Sequence, residues 1–345
     1  MPSILEREIL EQPEVIQAFL TSEEENAGRI ARELHGRFRY IHIAARGSSD
    51  NAARYAQYLF GLHHRIQVAL ATPSLFTMYG TPPDLSEALV VGISQSGQSP
   101  DIVAVLAEGK KQGRPTLAIT NDSASPLAQA ADYILPLHTG QELAVAATKT
   151  YTTSLAALAL LSCSMPDNAH NLEMLHRVPE HMQKTLDCLG SAMAHVERYR
   201  YMQQCDVIGR GLNYATAFET ALKIKELTRV VAEPYSSADF RHGPIATATP
   251  GFPVVVIAPK GAVYQDTHSL LTELQRRRAE LLVVSDDPEA LDIADLPLPF
   301  AAGLPEWLTP LVAVVPGQRF AQQLTLEKNL DPDKPEGLLK VTETL

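Results

Sequence analysis

The sequence predicts an α/β protein of two tandem domains, each a parallel sheet flanked by helices in a three-layer αβα arrangement. Its 345 residues suit two domains at roughly 150 residues each. From Tyr40 onward, short apolar runs alternate with longer helical patterns, which is typical of a parallel sheet wrapped by helices. A hydrophobic fraction of 45% and a charged fraction of 20% exclude the disordered and fibrous classes.

The predicted strands of the first half are followed by Gly, Ser or Asp residues, as a turn from strand to helix requires. In chain order we predict a strand at 40–45, a helix at 51–60, a strand at 87–94, a helix that ends near 112, and strands at 116–120 and 133–137. The helices between these strands predict parallel pairing, because parallel strands need long crossover connections.

The second half of the chain repeats the pattern of the first at a nearly constant spacing. Arg46 and Gly47 are matched by Arg210 and Gly211, an offset of 210 − 46 = 164. The same offset joins three further pairs: Ile93 with Ile257, Gly97 with Gly261, and residues 119–122 with 283–286. Chance similarity explains one such match, whereas several in order favour a duplicated α/β unit.

Three further segments complete the predicted organisation. The residues before the first sheet have a helical pattern with a break at Gln12-Pro13, and those between the halves have apolar residues at helical spacing. The end of the chain has closely spaced prolines and a glycine, so we expect an extended tail. The predicted segments are a helical N-terminus at 1–36, the first domain at 37–166, linker helices at 167–200, the second domain at 201–328 and the tail at 329–345.

The charge balance argues against a nucleic-acid partner. The 29 Lys and Arg residues against 40 Asp and Glu residues leave a net charge of −11, whereas nucleic-acid binders cluster cations against the phosphate backbone. The most apolar stretch, residues 155–165, is shorter than the ~20 residues that cross a bilayer, so no membrane partner is expected. A small anionic substrate is still compatible with this composition.

The three cysteines indicate a reducing compartment. Cys163, Cys188 and Cys205 form no CxxC pair, and an odd, sparse count does not suit a disulfide framework. The acidic, helix-patterned N-terminus lacks the basic and apolar regions of a signal peptide. We therefore expect a cytoplasmic protein, and the cysteines and histidines show no spacing that would bind a metal.

The stretch Ser-Gln-Ser-Gly-Gln-Ser from Ser94 to Ser99 follows a predicted strand and precedes a helix. Its hydroxyl and backbone N–H groups meet the positive end of that helix, an arrangement that binds phosphate without a basic residue. The P-loop pattern is absent, so a nucleoside triphosphate is not indicated. An ordinary polar turn is the alternative. The equivalent residues 258–261 lack hydroxyls, so we expect the two halves to have diverged.

Three charged residues recur at helical spacing in the second half. Glu219, Lys223 and Glu226 stand at i, i+4 and i+7, so they share one face of a helix. Surface ion pairing is the simpler explanation, and a catalytic carboxylate is the alternative. His242 follows in a run that we predict to be non-helical, where it is either incidental or an acid–base group.

Four motifs together resemble the sugar isomerase (SIS) domain family. They are SQSGQSPD, AVAATKTYTTSLAAL, GRGLNYATAFETALKIKE and ADFRHGP. The chain is similar to the isomerase half of glutamine–fructose-6-phosphate aminotransferases and to stand-alone glucosamine-6-phosphate deaminases of that type, over roughly residues 35–345. The resemblance implies two tandem SIS domains that work without a cofactor or a metal.

The resemblance also implies roles for individual residues. Glu226 would be the base that moves a proton between C1 and C2 of the sugar, with Lys223 one turn before it. His242 would promote ring opening, often from the partner subunit, and Lys340 in the tail would close over the sugar and act on its carbonyl or amine. The residues expected at the phosphate are Ser49, Ser94, Gln95, Ser96 and Ser99, with Gly47 and the backbone of Val145 as further substrate contacts.

We therefore expect a phosphosugar isomerase or deaminase, and first of all an enzyme that converts glucosamine 6-phosphate to fructose 6-phosphate and ammonia. No Cys precedes Cys163, so the cysteine nucleophile of a glutaminase domain is not expected. Another SIS isomerase, a deglycase of amine-linked sugar phosphates and a sugar-phosphate sensor without turnover are the alternatives. The expected partners are a small sugar phosphate and a second copy of the chain, in a homodimer that shares His242.

Overall fold

Two five-stranded parallel sheets form the framework of the protein in a computed structural model that describes residues 2–166 and 171–340. The first sheet has the order β2-β1-β3-β4-β5 and the second the order β10-β9-β8-β6-β7. The strands are β1 Tyr40–Ala44, β2 Gln67–Leu70, β3 Ala88–Ser94, β4 Thr116–Thr120, β5 Tyr133–Pro136, β6 Gln204–Gly209, β7 Val231–Ser236, β8 Pro253–Ile257, β9 Glu280–Ser285 and β10 Leu296–Pro299.

Helices flank both sheets and connect their strands, so the predicted α/β fold is confirmed. The helices are α1 Ile4–Leu10, α2 Gln12–Leu34, α3 Ser48–His64, α4 Ser74–Thr77, α5 Pro100–Lys111, α6 Pro126–Ala130, α7 Lys149–Ser164, α8 Leu172–His176, α9 Val178–Cys188, α10 Gly190–Met193, α11 Tyr214–Thr228, α12 Ser237–Arg241, α13 Tyr264–Arg276, α14 Pro288–Asp292 and α15 Thr309–Glu327. Of the predicted linker and tail, residues 167–170 and 341–345 lie outside the described residues.

The chain divides into two compact units. The first domain consists of Glu14–Glu142, Lys149–His176 and Leu339–Leu345, and it contains the first sheet. The second domain consists of Met1–Pro13, Leu143–Thr148 and Arg177–Leu338, and it contains the second sheet. Each domain therefore gathers segments that are far apart in sequence.

The second sheet has the same topology as the first. Strands β1, β2 and β4 begin at Tyr40, Gln67 and Thr116, and their counterparts β6, β7 and β9 begin at 204, 231 and 280. The three differences are 204 − 40, 231 − 67 and 280 − 116, each equal to 164. The tandem arrangement that the sequence predicts is confirmed at the level of individual strands.

Two edge strands, one short helix and one helix boundary differ from the sequence prediction. Strands β2 and β7 were not predicted, because each lies at a sheet edge and neither presents a continuous buried run. The run before His242 was predicted to be non-helical, which is correct for strand β7 and wrong for the short helix α12, Ser237–Arg241. Helix α3 begins at Ser48 rather than Asn51, which places Ser49 in its first turn.

Each sheet has one position where the connections change direction. The chain runs from β1 to β2 on one side and then returns to β3 on the other side of β1. In open parallel sheets, ligands bind outside the carboxyl ends of the strands at this switch point. The switch points lie between β1 and β3 in the first domain and between β6 and β8 in the second.

Within the described part of the chain, no helix is long and apolar enough to cross a membrane.

Burial lowers the pKa of the His42 imidazole on β1, whose Nε2 has no hydrogen-bond partner among the described residues. In the unfolded chain the imidazole has its ordinary pKa of about 6.5. Below that pH the unfolded state binds a proton more readily than the folded state, so the folded state should lose stability as the pH falls. Below neutrality, we expect His42→Leu to make the free energy of unfolding less dependent on pH, by up to about 1.4 kcal/mol per pH unit. The exposed His195→Leu is the control. Identical slopes in the wild type and His42→Leu would contradict this expectation.

Candidate functional site

The loop after β3 places its hydroxyl groups at the switch point of the first domain. Its backbone is fixed by its own side chains: Gly97 N donates to Ser94 Oγ at 3.1 Å, and Gln98 N donates to Ser96 Oγ at 3.3 Å. Ser99 precedes α5 and makes no side-chain capping bond to that helix. Gln95, Ser96 and Ser99 are half-buried, and Ser94 is buried at the strand end.

Two helices begin beside this loop. Helix α3 starts at Ser48, directly after Gly47 with its φ of +53°, and α5 starts at Pro100. Because β1 and β3 are neighbours, both helix N-termini point at the carboxyl edge of the same strand pair, where backbone N–H groups favour an anion. Ser49 and the loop after β3 therefore lie at the two sides of one switch point.

The sequence prediction missed an ion pair that joins the same two turns. The Arg46 guanidinium lies 2.8 Å from the Asp101 carboxylate, and the Asp101 side chain is fully buried. Arg46 follows β1 and Asp101 lies in the first turn of α5. The pair neutralises a buried carboxylate that would otherwise repel an anion at the neighbouring loop.

Gly97→Ala is expected to destabilise the first domain more than a matched substitution. A Cβ on Gly97 would overlap the Ser125 side chain, whereas the same atom on Gly113 meets nothing within 4 Å. Both glycines have positive φ, at +63° and +70°, so both variants lose about 1–2 kcal/mol to backbone strain. Only Gly97→Ala adds an overpacking cost of about 1–3 kcal/mol. Unfolding midpoints measure the difference, and equal losses in the two variants would rule out this contact.

In the second domain, helix α11 carries the three charged residues that the sequence places on one face. Lys223 is 1% exposed, and its Nζ lies 2.5 Å from Glu226 Oε2 and 3.5 Å from Glu219 Oε1. Glu219 is fully buried, whereas the Glu226 side chain is 27% exposed. The explanation by surface ion pairing is therefore wrong for Lys223 and Glu219, because charges this deeply buried are kept only when paired.

Glu226 lines a cavity of about 180 Å³ inside the second domain. The other walls come from the end of α11 and from the start of the C-terminal tail: Leu227, Arg229, Asn329, Leu330, Asp331, Lys334, Pro335 and Glu336. Arg229 forms an ion pair with Glu336, which ties the tail to the end of α11. The buried Lys223 holds one oxygen of Glu226 from inside while the carboxylate still reaches open space.

His242 lies at the end of α12, and its side chain is exposed. The backbone around it is well anchored: Ser236 caps α12 through Asp239 N at 3.1 Å, and Arg241 lies 2.8 Å from Asp266. Gly243 follows with a φ of +135°, which favours glycine at this turn. Among the described residues, no hydrogen bond joins His242 to Glu226, so their cooperation stays a prediction.

Lys340 has a partner that the sequence did not reveal. Its Nζ lies 2.7 Å from Glu142 Oε2, and the Glu142 side chain is fully buried in the first domain. Thr150 donates to the same carboxylate from its backbone N at 3.1 Å and from its hydroxyl at 2.8 Å. Glu142 therefore joins the last described residue of the tail to the start of α7.

Val145 lies in a short segment of the second domain in which three consecutive backbone N–H groups each donate a hydrogen bond. Val145 N donates to Asp333 O at 3.2 Å, while Leu143 N and Ala144 N donate to the Glu8 carboxylate at 2.5 and 3.3 Å. Asp333 also caps α1 through Leu5 N at 2.8 Å. The segment around the predicted substrate contact is thus held by residues from the two ends of the chain.

The fold defines a class of α/β proteins with two domains, each built on a five-stranded parallel sheet, and comparison with known proteins identifies the family. The chain belongs to the SIS domain family, whose model matches residues 38–163 and 201–290. The predicted tandem SIS architecture is therefore confirmed by sequence match and by sheet topology.

Similar proteins include a glutamine–fructose-6-phosphate aminotransferase [isomerizing] of Thermococcus kodakarensis. It is 32% identical over 98% of this chain and 58% of its own length, so the chain spans little more than half of that relative. Among solved structures, a candidate phosphosugar isomerase of Silicibacter pomeroyi DSS-3 is 31% identical with a TM-score of 0.88, covering 96% of this chain and all of that one. The C-terminal domain of glucosamine-fructose-6-phosphate aminotransferase from Francisella tularensis is 28% identical with a TM-score of 0.88, covering 97% and 99%.

No group of three or more metal-ligating side chains occurs among residues 2–166 and 171–340.

Proposed function

We propose that this chain is a sugar-phosphate aldose–ketose isomerase of the deaminating kind, which converts glucosamine 6-phosphate and water to fructose 6-phosphate and ammonia. The observation that carries the proposal is the contact of 2.5 Å between buried Lys223 and partly exposed Glu226. It supports a carboxylate that is held in one orientation at the edge of a cavity, which is what a proton shuttle between adjacent carbons requires.

The proposed chemistry begins with ring opening, for which we propose His242 as the acid–base group because imidazole titrates near neutrality. Glu226 then removes the proton from C2 of the open aldose and returns it to C1. In the same conversion O1 gains a proton and the C2 amine loses one, so the C1 aldehyde and the C2 amine become a C1 alcohol and a C2 imine. Water hydrolyses the imine, which releases ammonia and leaves the ketone of fructose 6-phosphate.

Two further groups have proposed roles in holding the substrate. The loop from Ser94 to Ser99 and Ser49 at the start of α3 would hold the phosphate, because hydroxyls and two helix N-termini converge there. Lys340 would act on the open-chain carbonyl or on the amine. Its contact with buried Glu142 supports this role, since a carboxylate at 2.7 Å can hold the ammonium in place or take up its proton.

The test is turnover of glucosamine 6-phosphate by the purified chain, with ammonia and fructose 6-phosphate measured together. Release of both in equal amounts supports the proposal. Parallel reactions should contain fructose 6-phosphate alone and a glycated amine phosphate. Turnover confined to either of these would overturn the deaminase and leave an isomerase or a deglycase, and binding without any turnover would leave a sensor.

An isomerase that acts without amine chemistry is the second candidate, and the candidate phosphosugar isomerase at 31% identity favours it. The same Glu226 shuttle serves both reactions, since only the substituent on C2 differs. The product of the first assay therefore decides between them.

We also propose a homodimer in which His242 serves the partner's site. His242 is exposed on its own chain and sits on a rigidly anchored turn, which suits a residue that reaches another subunit. Light scattering gives the oligomeric state. Mixing inactive Glu226→Gln and His242→Ala chains should restore part of the activity if the histidine works across the interface, and no recovery after subunit exchange would contradict the sharing.

A further inference from the structure

The second domain has a cradle at its switch point, formed by the turn at Gly211 and by residues 259–262. Its layout resembles that of Gly47 and the loop from Ser94 to Ser99 in the first domain, but its residues differ. It lies between β6 and β8, the counterparts of β1 and β3. Gly211 follows β6 with a φ of +58°, as Gly47 follows β1 with a φ of +53°. Residues 259–262 follow β8 and lead toward α13, as the loop of serines follows β3 and leads to α5.

A carboxylate of the chain itself occupies this cradle. Glu306 belongs to the 3₁₀-helix Glu306–Leu308 that precedes α15, and its Oε2 accepts a hydrogen bond from Ala262 N at 2.5 Å. A Cβ on Gly261 would overlap the Glu306 carboxylate, and a Cβ on Gly211 would lie 4.0 Å from Glu306 Oε1. The carboxylate therefore lies between the two glycine turns and bonds to the backbone of the turn after β8.

A second carboxylate takes the neighbouring backbone N–H group of the same loop. Lys260 N donates to Asp286 Oδ1 at 2.8 Å, and the Lys260 ammonium lies 3.0 Å from Asp287. In the first domain, the corresponding loop from Ser94 to Ser99 bonds to its own hydroxyls, and no carboxylate among the described residues reaches its N–H groups. The loop N–H groups thus donate to hydroxyls of the loop itself in one domain and to carboxylates in the other.

We propose that the cradle of the second domain is an oxyanion site that Glu306 keeps filled, so that shortening this side chain opens a site for a free oxyanion such as phosphate. Glu306 acts as the internal anion that joins the β8 loop to the start of α15. The native chain accordingly has one fewer phosphate site than its two like sheets would suggest. This inference stands apart from the proposed reaction, because it concerns a difference between the variant and the wild type.

The experiment is a titration with inorganic phosphate at constant ionic strength, followed by calorimetry or phosphorus NMR. We expect Glu306→Ala to bind one more phosphate per chain than the wild type, whatever number the wild type binds. Glu306→Gln is the matched control, because an uncharged side chain of the same size still fills the cradle and adds no site. Adding Gly261→Ala to Glu306→Ala should remove the extra site, because the new Cβ occupies the same space.

The same variant also gives a folding readout. Glu306→Ala should melt below the wild type, and phosphate should raise its melting temperature by more than it raises that of the wild type or of Glu306→Gln. If Glu306→Ala is poorly folded in chloride, recovery of its circular dichroism spectrum in phosphate supports the cradle. An unchanged phosphate count in a folded Glu306→Ala chain, or phosphate effects equal to those on the wild type, would overturn the inference.

Discussion

Glu226→Gln is expected to lower kcat about a thousandfold, in line with the contribution of a positioned general base. The amide has the same size and still accepts a hydrogen bond from Lys223, which lies 2.5 Å away in the wild type. It cannot carry a proton from C2 to C1. KM and the affinity for a phosphate ester should therefore change by only a few fold, because the amide keeps the size of the carboxylate and its hydrogen bond to Lys223.

Glu289→Gln is the control for that measurement, because Glu289 is an exposed carboxylate of the second domain. Both variants lose one negative charge, so a general effect of net charge would appear in each. A Glu226→Gln chain that keeps near-normal kcat would exclude Glu226 as the proton shuttle. A loss in KM alone would assign it to binding instead of chemistry.

Lys223→Met is expected to lower the free energy of unfolding by about 3–5 kcal/mol, the cost of removing one partner from a buried ion pair. Its ammonium is 1% exposed and lies between Glu219, which is fully buried, and Glu226. Methionine fills a similar volume but supplies no charge to Glu219. Urea or thermal unfolding, followed by circular dichroism, measures the loss.

Two comparisons separate this effect from a general weakening of α11. Lys225→Met makes the same substitution two residues further along α11, where the lysine is only half-buried. It should lower the free energy of unfolding by less than about 1 kcal/mol. The double variant Glu219→Gln, Lys223→Met should recover part of the loss, because the buried carboxylate is then neutral as well. Equal midpoints for Lys223→Met and Lys225→Met would refute the buried pair.

Most of the framework could be predicted from local patterns. The strands β1, β3 and β4 were predicted to within one residue at each end, because buried parallel strands read as continuous apolar runs bounded by turn residues. The edge strands β2 and β7 were not predicted, because both are partly exposed and lack a continuous buried run, and β7 also contains Pro234. Local patterning thus detects the central strands and only some of the edge strands, since the edge strand β5 was predicted at 133–137.

Less of the candidate site could be predicted in the same way. Helical spacing placed Glu219, Lys223 and Glu226 on one face, yet the same spacing fits an exposed salt bridge. Only the tertiary packing around α11 buries Lys223 and leaves Glu226 partly exposed. The partners Glu142 of Lys340 and Asp101 of Arg46 left no signal in the sequence either, being 198 and 55 residues away.

The sequence by itself determined the α/β class, the two like halves at a spacing of 164 residues and the hydroxyl-rich loop after β3. These properties depend on neighbouring residues: hydrophobic periodicity, turn chemistry and motif order. The tertiary structure alone decided that Lys223 is buried, that Glu142 holds Lys340 and that Glu306 fills the second cradle. Burial and pairing depend on which distant segments pack together, and packing brings residues such as Ala262 and Glu306 within hydrogen-bond distance across 44 positions of chain.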